Sequence, residues 1–386
     1  IRRVQPDFSL DAISYEDKAT YEMLAQGETE GVFQLESTGM RQVLAGLHPQ
    51  SLEDVIALIS LYRPGPMDSI PTYLRNRRQP DQIRYKTPEL AHILDVTNGC
   101  IVYQEQVMQI CRELAGFSYG QADLVRRAMS KKKHDVMEKE RQHFVYGNTT
   151  PGQECNGCIK NGISEEAANA IFDDMSSFAS YAFNKSHAAC YAYVAYQTAY
   201  LKCHYRSQFM AALLTSVLDN TDKVIEYSGE CQRLGIRVLP PDINVSDGGF
   251  TVDGPDIRFG LNAVKNVGRN LIATTVQERR EMPFRSLYDY CKRLYGVEIN
   301  RRAVESLIKA GAFDQLEDTR RGMLESVEGI LKSVETDARK NVAGQLDLFS
   351  QLDDEDEWDD YHIPKVPEYP PQELLRMEKD VSGLYL

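Results

Sequence analysis

A chain of 386 residues, 42% hydrophobic and 26% charged, is long enough to bury two or three separate cores. Its formal charge of −13 excludes a uniformly basic coat, although seven of those charges sit in the tract Asp353–Asp360 and the remainder carries only −6, so local patches decide what is bound. No apolar run reaches the ~18–20 residues that cross a bilayer, no secretory pattern opens the chain, and eight scattered cysteines suit a reducing cytoplasm, so a cytoplasmic location without a membrane partner is expected.

In chain order, an extended Pro6–Leu10 leads to a helix near Asp17–Gln26. Leu52–Tyr62 reads as a strongly apolar helix halted by Arg63-Pro64-Gly65-Pro66, because two prolines around a glycine make a stiff turn. That turn holds Arg63 toward either a phosphate or a core carboxylate. Arg75, Arg77 and Arg78 form a basic helix end, best read as solvated surface. Tyr103–Ala115 is amphipathic and stops at Gly116, with Gln104, Glu105 and Gln109 on a polar face that ties helices together.

Gln121–Lys133 follows, with Leu124, Val125, Ala128 and Met129 at the spacing of one apolar helix face. Arg126, Arg127, Lys131, Lys132 and Lys133 lie off that face, five cations in eight residues with no acid among them. Such a ridge suits a polyphosphate or a nucleic-acid backbone, or else a solvated helix end that complements the macrodipole. The Gly/Asn/Thr-rich stretch up to Gly162 contains Cys155-Asn-Gly-Cys158; without a second pair of ligands this is expected to be a solvent-exposed turn, and no metal site is expected. Ser164 caps the next helix. At the start of the helix Ala188–Tyr205, Asn184, Lys185, Ser186 and His187 gather an amide, a cation, a hydroxyl and an imidazole beside free backbone amides, a place where an anion could sit. The Tyr193/Tyr196/Tyr200 stripe reads as core packing.

Asn220–Val238 gives another helix, Leu239–Asn244 a hinge-like link, and Phe250–Val252 with Ile257–Phe259 a small hairpin. Leu261–Gly268 resembles a helix-hairpin-helix motif, with Lys265, Gly268 and Arg269 placed to meet a phosphate, and Asn300–Gly311, with Arg301 and Arg302, looks like its partner. Residues 341–369 are an acidic, Pro- and Gln-containing linker. Within it stands Gln345-Leu346-Asp347-Leu348-Phe349.

Five motifs in order, Gly31–Ser37, Leu61–Met67, Tyr103–Met108, Arg126–Lys133 and Phe183–His187, resemble the fingers of bacterial C-family replicative polymerases, the DNA polymerase III alpha subunits. The resemblance implies a mainly α chain: a helical fingers domain, then a small mixed region with a tandem helix-hairpin-helix motif and a flexible linker. The expected division is a palm-to-fingers segment at 1–30, fingers at 31–240, a helix-hairpin-helix and clamp-binding domain at 241–340, the acidic linker at 341–370, and the lead-in to an OB-fold at 371–386. The start at Ile1 and the end in an apolar run are expected to be fragment boundaries. By the same resemblance Arg63, Arg126, Arg127, Lys131 and residues 184–187 meet the incoming dNTP, and the motifs at 261–268 and 300–311 meet primer-template DNA. Gln345–Phe349 docks on the sliding clamp within the polymerase III holoenzyme, Leu348 and Phe349 filling an apolar pocket. The aspartates that hold Mg2+ belong to a palm upstream, so no catalytic residue is expected in this segment, which should be inactive alone. The rival reading is a non-catalytic helix-hairpin-helix module recruited to the clamp.

Overall fold

The computed structural model describes residues 1–130, 134–179, 183–297, 299–316, 318–342 and 361–385. The chain packs as two units, Ile1–His204 and Tyr205–Leu386. As expected, the described residues are mainly helical, with one small sheet.

The first unit holds α1 (Lys18–Ala25), α2 (Thr38–Leu47), α3 (Leu52–Leu61), α4 (Ile70–Arg78), α5 (Ala91–Leu94), α6 (Gln104–Ala115), α7 (Tyr119–Ser130), α8 (His134–Tyr146), α9 (Glu165–Ala179) and α10 (Lys185–His204). Helix α3 is apolar all round and is buried from Asp54 to Leu61, as such a helix must be. Asp54 survives there because Arg77 approaches to 3.1 Å and the Gln50 amide donates at 2.9 Å. The basic end of α4 is therefore partly structural: besides Arg77 on Asp54, Arg78 donates to the Gly46 carbonyl. Helix α3 ends where Gly65 turns at φ 103°, a conformation open to glycine. Against α3 lies α10, whose buried Ala188, Ala192, Ala195 and Ala199 form a slim seam around Tyr196. Tyr196 is fully buried, whereas Tyr193 is 45% exposed, so only part of the tyrosine stripe is core.

A second core in this unit joins α6, α7, α8 and α9. The turn Cys155–Cys158 is only partly exposed as expected: Asn156 faces solvent, but its C-terminal half is buried. Cys158 is completely buried, its amide donates to the Phe144 carbonyl at 2.8 Å, and burial raises its thiol to about 12. Gly147 and Gly157 approach so closely that a Cβ on Gly157 would stand 2.2 Å from the Gly147 nitrogen.

The second unit holds α11 (Arg206–Ser216), α12 (Thr221–Arg233), α13 (Arg269–Glu281), α14 (Leu287–Arg293), α15 (Arg301–Lys309), α16 (Arg320–Val342) and α17 (Pro371–Ser382). Its sheet runs β1 (Val238–Leu239), β3 (Asp256–Arg258), β2 (Thr251–Asp253), with β1 parallel and β2 antiparallel to β3. Val238, expected to end a helix, pairs with Ile257 instead. The expected hinge at 239–244 is packed: Pro241, Asp242 and Ile243 are buried, and the Ile243 amide donates to the Ala312 carbonyl at 2.7 Å. Helices α11 and α12, expected to belong with residues 31–240, bury Met210, Leu214, Val224 and Cys231 in the core of the second unit. Packing thus divides the chain at His204/Tyr205 and not at the proline pair.

Candidate functional site

Helix α7 opens with a reciprocal cap: Gln121 Oε1 accepts from the Ser118 amide at 2.8 Å, and Ser118 Oγ accepts from the Gln121 amide at 3.3 Å. It buries Ala122, Val125, Ala128 and Met129, while Leu124, expected on that face, is 48% exposed. The acid that matters stands just ahead of the basic run. Asp123 lies three and four residues before the two arginines, the spacing at which helix side chains meet. Its Oδ1 accepts from Arg126 Nε at 2.9 Å and Nη2 at 2.6 Å, and its Oδ2 lies 2.7 Å from Arg127 Nε. The hydrogen bond from Arg126 leads in holding the Asp123 carboxyl below the usual carboxylate range. Arg126 also donates from Nη1 to Gln104 Oε1 at 3.0 Å, and its side chain is 29% exposed against 67% for Arg127. Lys131, with Lys132 and Lys133, lies outside the described residues.

Gln104 and Glu105 form the first turn of α6, and their position is fixed from beneath. Buried Gln106 accepts from the Val102 and Tyr103 amides at 2.8 and 3.0 Å. Tyr103 bridges Phe183 in parallel, with the Gln104 amide donating to the Phe183 carbonyl at 3.0 Å. The start of α6 is thereby clamped to the start of α10. There Asn184 Oδ1 caps α10 by accepting from the His187 amide at 2.9 Å.

The helix start expected to offer free amides already holds an anion, the Glu105 carboxylate. Glu105 accepts from Asn184 Nδ2 at 2.8 Å and from the Lys185 amide at 3.0 Å. Lys185 Nζ lies 3.1 Å from Glu53 and 5.3 Å from the Tyr103 ring. Ser186 and His187 are exposed on the first turn. The His187 ring stacks on Tyr191 at 4.6 Å and meets Phe183 edge-on at 5.3 Å. The Arg63 guanidinium lies 3.6 Å over the Phe183 ring.

The structure therefore joins Arg127, Asp123, Arg126, Gln104, Phe183 and Arg63 in one run of contacts, with Glu105, Asn184, Lys185 and His187 attached to it. Asp123, Glu105, Phe183 and Tyr191 are its unforeseen members. Asp123 had a readable signal, its spacing before two arginines, and Glu105 lies on the polar face of α6 that was expected to tie helices together.

In the second unit, Gly268 caps α13 with φ −74°, and the left-handed residue of that turn is Asn266 at φ 66°. Asn266 Nδ2 donates to Ser306 Oγ at 3.2 Å, which seats the turn against α15. Lys265 is held by α17: its amide donates to the Val381 carbonyl at 2.9 Å and its Nζ to the Asp380 carbonyl at 3.0 Å. Arg269 meets both Asp219 oxygens at 2.7 and 2.8 Å, Arg301 meets Glu305 at 2.6 Å and Glu328 at 2.9 Å, and Arg302 is exposed. Gln345–Phe349 lie outside the described residues.

Asp17, Cys203 and His204 are the one group of three metal-ligand side chains among the described residues, their ligand atoms within 4.8 Å of one another. Asp17 Oδ2 is already engaged by the Thr20 amide, the Thr20 hydroxyl and His204 Nε2 at 2.8, 2.6 and 2.8 Å, so it works as the cap of α1. A thiol and an imidazole do not fit Mg2+, which takes oxygen ligands.

Residues 1–152 match the family description "Bacterial DNA polymerase III alpha subunit finger domain", and residues 235–323 match a helix-hairpin-helix motif. Among curated relatives, DNA polymerase III subunit alpha of Thermus aquaticus is 45% identical over 98% of the chain and that of Bacillus subtilis (strain 168) 42% over 97%. The corresponding subunit of Escherichia coli (strain K12) is 40% identical over 99%. These alignments cover 30%, 32% and 33% of the three relatives, so the chain spans about a third of their length.

Proposed function

We propose that this chain, which corresponds to about a third of a bacterial DNA polymerase III alpha subunit, serves DNA-directed DNA synthesis by binding the triphosphate of the incoming dNTP and the template. The observation that carries the reading is the clamp between the starts of α6 and α10. It brings Arg126 and Arg63 into one contact network with Asn184, Lys185 and His187. Fixed guanidiniums and amides that meet developing phosphate charge stabilise phosphoryl transfer without reorganising at the moment of reaction. Arg126 and Arg127 take the beta- and gamma-phosphates, helped by Lys131. Phe183 and His187 offer aromatic surface beside them.

Nucleotidyl transfer also uses divalent ions held by carboxylates. The reading assigns those ions, Mg2+, to parts of the subunit beyond this segment, which is inactive by itself. The helix-hairpin-helix region, with Lys265, Gly268, Arg269, Arg301 and Arg302, holds duplex backbone, and Gln345–Phe349 docks on the sliding clamp.

The test is single-nucleotide incorporation by the full-length subunit. R126A/R127A should raise the KM for dNTP by about ten- to a hundredfold, the worth of one or two charge-assisted hydrogen bonds, with primer-template affinity nearly unchanged. Unchanged dNTP kinetics in the double variant would remove the site from α7.

A further inference from the structure

On α7 and at the start of α10, four of the groups assigned to the triphosphate, Arg126, Arg127, Asn184 and Lys185, are met by the protein's own carboxylates. On α7 the Nε–Nη2 edge of Arg126, the edge that matches a phosphate side-on, is taken by Asp123 Oδ1, while Asp123 Oδ2 holds Arg127. At α10 the Lys185 amide and the Asn184 side chain, an anion seat by chemistry, are taken by Glu105. Both carboxylates are reachable by solvent and can leave: Asp123 is 27% exposed, and Glu105 sits on the first turn of α6 beside an exposed Asn184. They are also linked, because Arg126 holds Gln104, the neighbour of Glu105.

We propose that Asp123 and Glu105 are resting counter-anions that keep the cations and amides in place without substrate and yield them to the phosphates when dNTP binds. A carboxylate and a phosphate oxygen present similar acceptors to a guanidinium fork, so the exchange swaps one charge-assisted pair for another. What the empty site gains is order: Arg126 is held at two points, by Asp123 and by Gln104, so the substrate meets a guanidinium already in position. What it loses is affinity, since each bound phosphate displaces an existing ion pair or hydrogen bond. The expected consequence is a dNTP affinity set below what the cations alone would give, and a release of pyrophosphate assisted by the returning carboxylates.

This rests on the preceding reading of the site, and the experiment separates the two. In the full-length subunit, D123N and E105Q keep the shape while removing the charge; each amide retains one acceptor oxygen, for Arg126 at position 123 and for Asn184 and the Lys185 amide at position 105, and the D123N amide can no longer accept from Arg127. Each should lower the KM for dNTP by roughly two- to fivefold, the equilibrium worth of an exposed ion pair, with kcat unchanged or lower. Inhibition by added pyrophosphate should tighten by a similar factor, and D123N/E105Q should combine both shifts. A supporting role for the two acids predicts the opposite sign. A KM that rises or stays level in both variants, while R126A raises it, overturns the counter-anion role and leaves the site standing. If R126A is also silent, the preceding reading falls with it. Thermal unfolding of each variant guards against misfolding; should D123N unfold, E105Q alone decides.

Discussion

On α7 two guanidiniums share one carboxylate, whereas on α13 and α15 Arg269 and Arg301 each have acids of their own. Asp123 serves both Arg126 and Arg127, which leaves an excess of positive charge and an exposed Arg127 to present it. Arg269 instead has the whole of Asp219, Arg301 has Glu305 and Glu328, and the Lys265 ammonium rests on a backbone carbonyl. A third pattern is Arg320 in the second unit, 7% exposed, with Asp314 at 2.5 Å and Glu378 at 3.0 Å. There the charge is sealed into the core and holds α16 to α17. The same side-chain type thus serves as an exposed cation that shares its acid, a cation neutralised on the surface, and a cation used as mortar.

Arg320→Ala should have the largest effect. Removing Arg320 strands buried Glu378 without its counter-ion, so urea unfolding should show a loss of about 3–5 kcal/mol. Arg127→Ala, on an exposed face, should leave stability nearly untouched. A mild Arg320 variant would mean that its acids are solvated and that the two classes of cation do not differ.

Arg269 tests the surface class. Its pair with Asp219 is exposed on both sides and contributes little to stability. If it turns to a DNA phosphate, Arg269→Ala should weaken duplex binding to a similar extent for every sequence. The slope of log affinity against log salt should fall by about one. An unchanged slope would leave Arg269 as a neutralised surface pair.

The smallest effect is one of pH, and it separates a carboxylate built into the fold from one that can leave. Asp256 on β3 is held below the usual carboxylate range, chiefly by hydrogen bonds from the Arg237 side chain and amide. A depressed folded pKa gives stability that is complete above about pH 4, the unfolded value, and is lost as pH falls through the folded one. The urea midpoint of wild type should therefore exceed that of Asp256→Asn at neutral pH, and the gap should close in acid. A constant gap would assign the effect to packing.

Much of the site was legible, and each success had a local cause. Helix α3 stops at the proline turn and α6 ends at left-handed Gly116, whereas α10 begins at Lys185, three residues ahead of its expected start at Ala188. Arg126 and Arg127 lie off the buried face of α7 because 3.6-residue periodicity puts them there. The misreadings arose where a distant segment intervenes. Leu124 is left half-exposed, Cys158 is drawn inward by the Gly147–Gly157 contact, and α11 and α12 find their apolar partners after the proline pair instead of before it.

The helical bias, the stops at the proline turn and at Gly116, the clustered cations and the resemblance to polymerase fingers lie in the sequence alone, because caps, periodicity and motif order act over a few residues. Only the tertiary structure decided which charges remain available. Glu105 reaches Asn184 across 79 residues of chain, and Arg126 reaches Gln104 across 22. The state of a charge depends on every acid within a few ångströms, and folding chooses those neighbours from anywhere along the chain.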